Sequence, residues 1–182
     1  MVRDEGKFIS SDTNVWIDFS TIDKLDLPFR LPYTYIMNRD AIEEELLSPL
    51  SLKQNLLQLG LKSIDIDNDE FVLAAKYGVK YKQLSVHDRI ALAIAKNRNI
   101  TLLTGDAHLR IAARQECVSV MGTIGVLDRL LAFKHISERE YDNCLKELLK
   151  YNGGLIRLPE DEIKKRLNHG ERQSIIAVLN LK

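Results

Sequence analysis

Cysteine is scarce. The 182 residues hold two, Cys117 and Cys144, with no CxxC spacing between them. Two such residues supply neither a thiolate frame for zinc nor a disulfide framework, and they predict buried or half-buried thiols in a reducing compartment. An excess of charge is missing as well: 26 Lys and Arg face 26 Asp and Glu, for a formal net charge of zero. Bulk positive charge therefore does not hold this protein to nucleic acid, although a local basic rim beside an acidic centre stays open. Long hydrophobic runs are absent too; none approaches the roughly 18 apolar residues that span a membrane. The segment MVRDEGKFISSD carries charge where a signal peptide needs an apolar stretch, and the expected location is the cytoplasm. There is no HExxH or other metal-ligand spacing, and the four histidines read as solvated surface residues. Internal repeats and low-complexity tracts are lacking.

What is present is ordinary for a soluble globular protein, with 45% apolar and 29% charged residues. The length suits one domain with a small extension. Short apolar runs at 7–12, 33–38, 61–67, 100–104 and 118–122 read as strands. Between them lie stretches with helical spacing: NVWIDFSTID, DAIEEELL with Asp40 as N-cap and a stop before Pro49, SLKQNLLQLG closed by Gly60, NDEFVLAAKYG with another glycine stop, LSVHDRIALAIAKNRN, and DAHLRIAARQE. TIDKLDLPFRLP, broken by Pro28 and Pro32, reads as a loop. Strands alternating with helices predict an α/β fold, a three-layer sandwich around a parallel sheet of about five strands. From about residue 136 helices come without strands. The organisation expected is a domain over 1–135 and a C-terminal helical extension over 136–182, with GERQSIIAVLNLK unassigned.

Four acids gather at one sheet edge in this scheme. Asp12 ends the first strand and Asp106 follows ITLLT, and ligands bind beyond such carboxyl ends in open parallel sheets. Asp88, in the first turn of the long central helix, and Glu45, in the helix after the second strand, arrive there by ordinary helix packing. Each aspartate also has a local explanation. Asp88 stands three residues after Ser85, the capping-box spacing, and Asp12 and Asp106 could each cap the helix that follows. Together, however, clustered carboxylates repel one another unless a cation or protons compensate. Oxygen ligands alone point to Mg²⁺ or Mn²⁺. Helix phase prefers Glu45 over Glu44, which points to solvent, and leaves Glu43 open.

At these residues the chain resembles the PIN-domain nucleases, particularly the VapC-like toxin branch. SSDTNVWIDF, AIEEELL, LSVHDRIALAIAKNRNITLLTGDAHLRIAARQ and VMGTIGVLDRLL carry the resemblance, over about residues 8–133. It implies a flavodoxin-like sheet, with Asp12, Glu45, Asp88 and Asp106 as the acidic residues. It also matches Asn14 and Thr104 to polar positions beside the first and last acids. Implied further are an RNA substrate, single-stranded or structured, a homodimer, and a small antitoxin protein in a type II toxin–antitoxin pair.

The chemistry so implied is metal-assisted phosphodiester hydrolysis, with Asp12, Asp88 and Asp106 holding one or two cations and Glu45 reaching them directly or through water. Phosphates need cationic partners; Arg89 and Arg110 are candidates, each equally readable as a surface ion pair. An inactive PIN-like RNA-binding or regulatory module is the alternative of another class. An aspartyl-phosphate phosphatase or receiver protein fits worse, because Asp12-Thr13-Asn14 is not DxD and VSVMGTIG supplies no lysine. The first helix offers Trp16 and Phe19 and the following loop Leu25, Leu27 and Phe29; some must pack on the sheet, Trp16 first among them, and the loop residues are expected to help line a homodimer or antitoxin surface.

Overall fold

Lys7–Ser11 forms strand β1, and Thr13–Thr21 the helix α1 that leaves it. A computed structural model describes residues 7–47 and 51–179. Strand β2 (Tyr33–Asn38) leads into helices α2 (Arg39–Glu45) and α3 (Leu52–Leu59), and β3 (Lys62–Ile64) into α4 (Asn68–Lys80) and α5 (Val86–Asn97). Strand β4 (Thr101–Leu103), helix α6 (Ala107–Gln115) and strand β5 (Val120–Met121) complete the sheet. Four helices follow: α7 (Thr123–Ala132), α8 (Glu138–Lys150), α9 (Glu160–Leu167) and α10 (His169–Leu179).

The five strands are all parallel, in the order β3-β2-β1-β4-β5. This is the α/β class expected of the alternating pattern. The third strand lies outside β2, whereas the flavodoxin order is 2-1-3-4-5. The order reverses between β1 and β4, and in open α/β sheets that switch point is where ligands bind, beyond the carboxyl ends. Asp12 directly follows β1 there, its N–H donating to the Leu103 carbonyl of β4 at 2.9 Å.

Two units make up the chain. The first comprises residues up to Val15 and Pro32–Met121, and contains the whole sheet; the second comprises Trp16–Leu31 and the residues from Gly122 onward. The core of the first unit is built on α5, where Ile90–Ala95 are all buried together with Ile36, Leu102, Leu109 and Tyr77. Such a run, apolar on every side, suits a helix covered all round. The second unit buries Leu127 and Leu130 of α7, Tyr141, Leu145 and Leu148 of α8, and Ile163 of α9. Within it lies a buried carboxylate, Asp128, which the Arg166 guanidinium holds at 2.8–3.0 Å and the Tyr141 hydroxyl at 2.6 Å. Burying a charge is costly unless it is paired and hydrogen-bonded in this way.

Several local expectations need correcting. The N-cap of α2 is Asn38, whose side chain accepts from the Asp40 and Ala41 N–H groups; Asp40 is the second residue of the helix. The proposed stop at Pro49 lies outside the described residues. Gly60, at φ 117°, does end α3 in the left-handed region that favours glycine. Gly78 does not end α4. It sits inside the helix, where the Arg89 guanidinium occupies the space a Cβ would need. The loop after α1 contains a 3-10 turn at Leu27–Arg30. Trp16, Phe19 and Leu27 are wholly buried and Leu25 and Phe29 half-buried, so most of the apolar surface expected there is inside. Trp16 stacks on Phe29 at 5.4 Å between ring centroids. Cys144 is buried, but Cys117 is exposed at a left-handed turn (φ 58°) after α6. The unassigned segment from Gly170 joins His169 in α10 (His169–Leu179), and its last three residues lie outside the described residues. Among the described residues no helix is long and apolar enough to cross a membrane.

Candidate active site at the carboxyl edge of the sheet

Hydroxyl groups organise the edge. The Thr104 hydroxyl, wholly buried just beyond β4, donates to Asp12 Oδ2 at 2.7 Å and accepts from the Asp106 N–H at 3.0 Å. It thereby joins the turn after β4 to the end of β1. Thr13 performs the same service on the other side. Its N–H donates to Asp12 Oδ1 at 2.6 Å and its hydroxyl to Glu45 Oε2 at 2.5 Å. Asn14 accepts from the Gly105 N–H at 2.9 Å, pinning the Thr104–Asp106 turn. Thr104 and Asn14 thus act on the acids and their loop. Thr13 was overlooked at the sequence level; its only signal is a hydroxyl directly after the first aspartate.

The three glutamates of α2 part company. Glu45 reaches Thr13 and faces Asp12, Glu43 pairs with Lys53, and Glu44 accepts from the ring of His87 at 2.9 Å. His87 is consequently not a solvated surface residue; its side chain is 16% exposed. Helix α5 is fixed to β1 by the Ser10 hydroxyl, which donates to the Ala91 carbonyl at 3.0 Å.

Asp88 and Asp106 both carry out the capping role their spacing allows. Asp88 Oδ2 accepts from the Ser85 N–H at 2.8 Å while Ser85 Oγ accepts from the Asp88 N–H, a complete capping box. Asp106 Oδ1 accepts from the Leu109 N–H at 2.7 Å. These bonds hold the two carboxylates at their own helix ends.

Electrostatically, Asp12 is the focus. Burial pushes its carboxyl up to about 7, an effect the Thr104 hydroxyl and Thr13 N–H reduce and the charges of Asp88 and Glu45 reinforce. No Lys, Arg or His forms an ion pair with Asp12, Glu45, Asp88 or Asp106 among the described residues. Three neighbouring carboxylates without a counter-charge, offering only oxygen, suit a hard divalent cation. No three acidic, histidine or cysteine side chains are drawn close enough to enclose an ion among the described residues. The fit is therefore to an open site. Mg²⁺ keeps several waters and needs only one or two protein carboxylates.

The two arginines differ. Arg110 Nη1 donates to the Thr104 carbonyl at 2.9 Å, beside the acids, and burial with the nearby Arg114 charge lowers its pKa. Arg89 donates to the Ser85 carbonyl at 2.9 Å and lies over Gly78 of α4. Neither is in an ion pair with a carboxylate among the described residues.

A family model described as a PIN domain matches residues 8–172. The chain belongs to the PIN-domain family. PIN domains are in general nucleases and typically use divalent metals, and the fold described here is theirs. The match runs through α8 and α9, well past the residue 133 at which the sequence resemblance fades. Comparison with curated proteins and with solved structures gives no match.

Proposed function

We propose that this PIN domain is a metal-dependent endoribonuclease and the toxin of a type II toxin–antitoxin pair. The observation that carries the reading is the unneutralised group Asp12, Glu45 and Asp88 at the switch point of the sheet, with Asp12 buried and hydrogen-bonded by Thr104. Asp12, Asp88 and Asp106 would hold Mg²⁺ or Mn²⁺, and Glu45 would reach it directly or through water. Bound there, the ion supplies a water of lowered pKa and a positive charge beside the phosphate. The chain's own groups prepare that edge. Thr104 and Thr13 fix both Asp12 oxygens, so the carboxylate is oriented before any ligand arrives. Thr13 also aims Glu45. Arg110, without a carboxylate partner among the described residues, would receive a phosphate oxygen of RNA.

The toxin assignment, the homodimer and the small antitoxin partner rest on the likeness of SSDTNVWIDF and LSVHDRIALAIAKNRNITLLTGDAHLRIAARQ to the toxin branch. The test is cleavage of RNA by purified protein with Mn²⁺ or Mg²⁺, comparing wild type with Asp12→Asn. Cleavage by the wild type that disappears in the variant and in chelator is expected. Equal cleavage by both proteins would sink the assignment of Asp12. RNA binding with no cleavage under any divalent ion would favour a regulatory module. Co-purification with the product of an adjacent small gene, with inhibition of cleavage, decides the antitoxin part.

A further inference from the structure

Helices α2 and α5 each deliver one acid to the neighbourhood of Asp12, and a side-chain bond ties the two helices directly. His87, second residue of α5, sits with Nε2 2.9 Å from Oε2 of Glu44 on α2. The next residue in each helix is a site acid: Glu45 follows Glu44, and Asp88 follows His87. An ionised carboxylate can only accept, so Nε2 carries the proton and donates. The imidazole is 16% exposed, its partner carboxylate 67%. Nδ1 is closed off from solvent and has no hydrogen-bond partner among the described residues. Burying an unsatisfied ring nitrogen works against stability, so one bond to an exposed carboxylate is a weak stabilising reason for a histidine here. Its geometric effect is larger. The C-terminal turn of α2, which breaks from helical geometry at Leu46, is tied by Thr13–Glu45, by Lys53–Glu43 and, toward α5, by His87–Glu44.

We propose that His87 and Glu44 are a positioning pair, clamping the last turn of α2 to the first turn of α5 so that Glu45 and Asp88 face Asp12 together. The inference rests on the nuclease reading above and adds to it two residues that touch neither metal nor substrate. It requires only a neutral imidazole, and so concerns geometry. Outer residues that orient metal-binding groups are commonly worth tenfold or more in metal affinity.

Mn²⁺ binding by calorimetry, with thermal melts in chelator, tests the pair on the full chain. Glu44→Ala and His87→Ala are each expected to weaken Mn²⁺ binding about tenfold. The double variant should be no weaker than either single, because both remove the same link. Glu44→Gln keeps an acceptor oxygen and should bind within about twofold of wild type. Glu44 is largely exposed, so Glu44→Ala should melt like wild type, and it carries the test if His87→Ala folds poorly. Wild-type affinity in Glu44→Ala, or losses that add in the double variant, would overturn the positioning role while leaving the nuclease reading intact. A wild type that neither binds Mn²⁺ nor cleaves RNA would overturn the nuclease reading and this role with it.

Discussion

A carboxylate taken out of water is costly unless hydrogen bonds or a counter-charge compensate, and Asp12 has the hydrogen bonds without the counter-charge. Its folded-state pKa of about 7, against 3.8 ordinarily, means that the folded protein holds this proton more tightly than the unfolded chain does. The metal-free protein is therefore relatively stabilised below about pH 4 and loses that stability as pH rises to about 7, with no further change above. At 1.36 kcal/mol per pKa unit the loss is at most about 4 kcal/mol. Asp12→Asn should remove it, because the amide oxygen still accepts from Thr13 and the Thr104 hydroxyl can accept from the amide. Melts in chelator between pH 4 and 8 are expected to show the wild type falling until about pH 7 and level above it, and the variant melting higher at pH 8. Asp18 adds a smaller slope in the same direction in both proteins. Burial, partly offset by the Thr123 hydroxyl, raises it to about 6, so its effect ends there. A wild-type melting point that stays level from pH 6 to 8 would contradict the burial of an uncompensated Asp12 charge.

Helices at this edge have two uses for the same carboxylate. Asp106 begins α6 by accepting from Leu109 with its side chain, while its backbone N–H donates to the Thr104 hydroxyl that holds Asp12. The roles separate by substitution. Asp106→Ala removes the cap and should cost about 1 kcal/mol, while Asp106→Asn keeps an acceptor oxygen and should cost a few tenths or nothing. Both remove the charge, so both should abolish metal-dependent cleavage if Asp106 holds the ion. Urea melts beside cleavage assays distinguish the cases. An Asp106→Asn protein that keeps full cleavage would restrict Asp106 to capping. The α4 helix shows the same economy, since Gly78, which might have ended it, instead makes room for the Arg89 guanidinium.

At the scale of the molecule, each unit closes a buried carboxylate with a guanidinium, as Arg98 does for Glu70 in the first. Asp12, at the sheet edge, has no such counter-ion among the described residues. The second unit closes Asp128 of α7 with Arg166 of α9 and Tyr141 of α8. Breaking one member of such a buried pair leaves the other uncompensated, which typically costs 3–5 kcal/mol. Arg166→Met is thus expected to lower the unfolding free energy by about 3 kcal/mol, the lower end because the arginine keeps some solvent access. Chemical denaturation measures it directly. A loss below about 1 kcal/mol, the range of an exposed pair, would mean that Asp128 finds water or another donor once the guanidinium is gone.

The amino-acid sequence by itself determined the elements and their kind. Periods of two and 3.6, Gly60 at a helix end, and the Ser85–Asp88 spacing are local signals, since propensity and capping act within a turn or two. It also brought Asp12 and Asp106 to one edge, because parallel strands put all their carboxyl ends together. It did not decide where α4 ends, because Gly78 is permitted inside a helix by the approach of a side chain from α5. Nor did it decide which of Glu43, Glu44 and Glu45 meets Asp12. Helix phase narrows that choice, and partners distant in sequence complete it: Lys53, His87 and Thr13 each take one glutamate. The burial of His87, of Thr104 beneath Asp12 and of Trp16 beside Phe29 has the same origin. A side chain's exposure and its hydrogen-bond partner depend on what the fold brings beside it, and only the tertiary structure contains that.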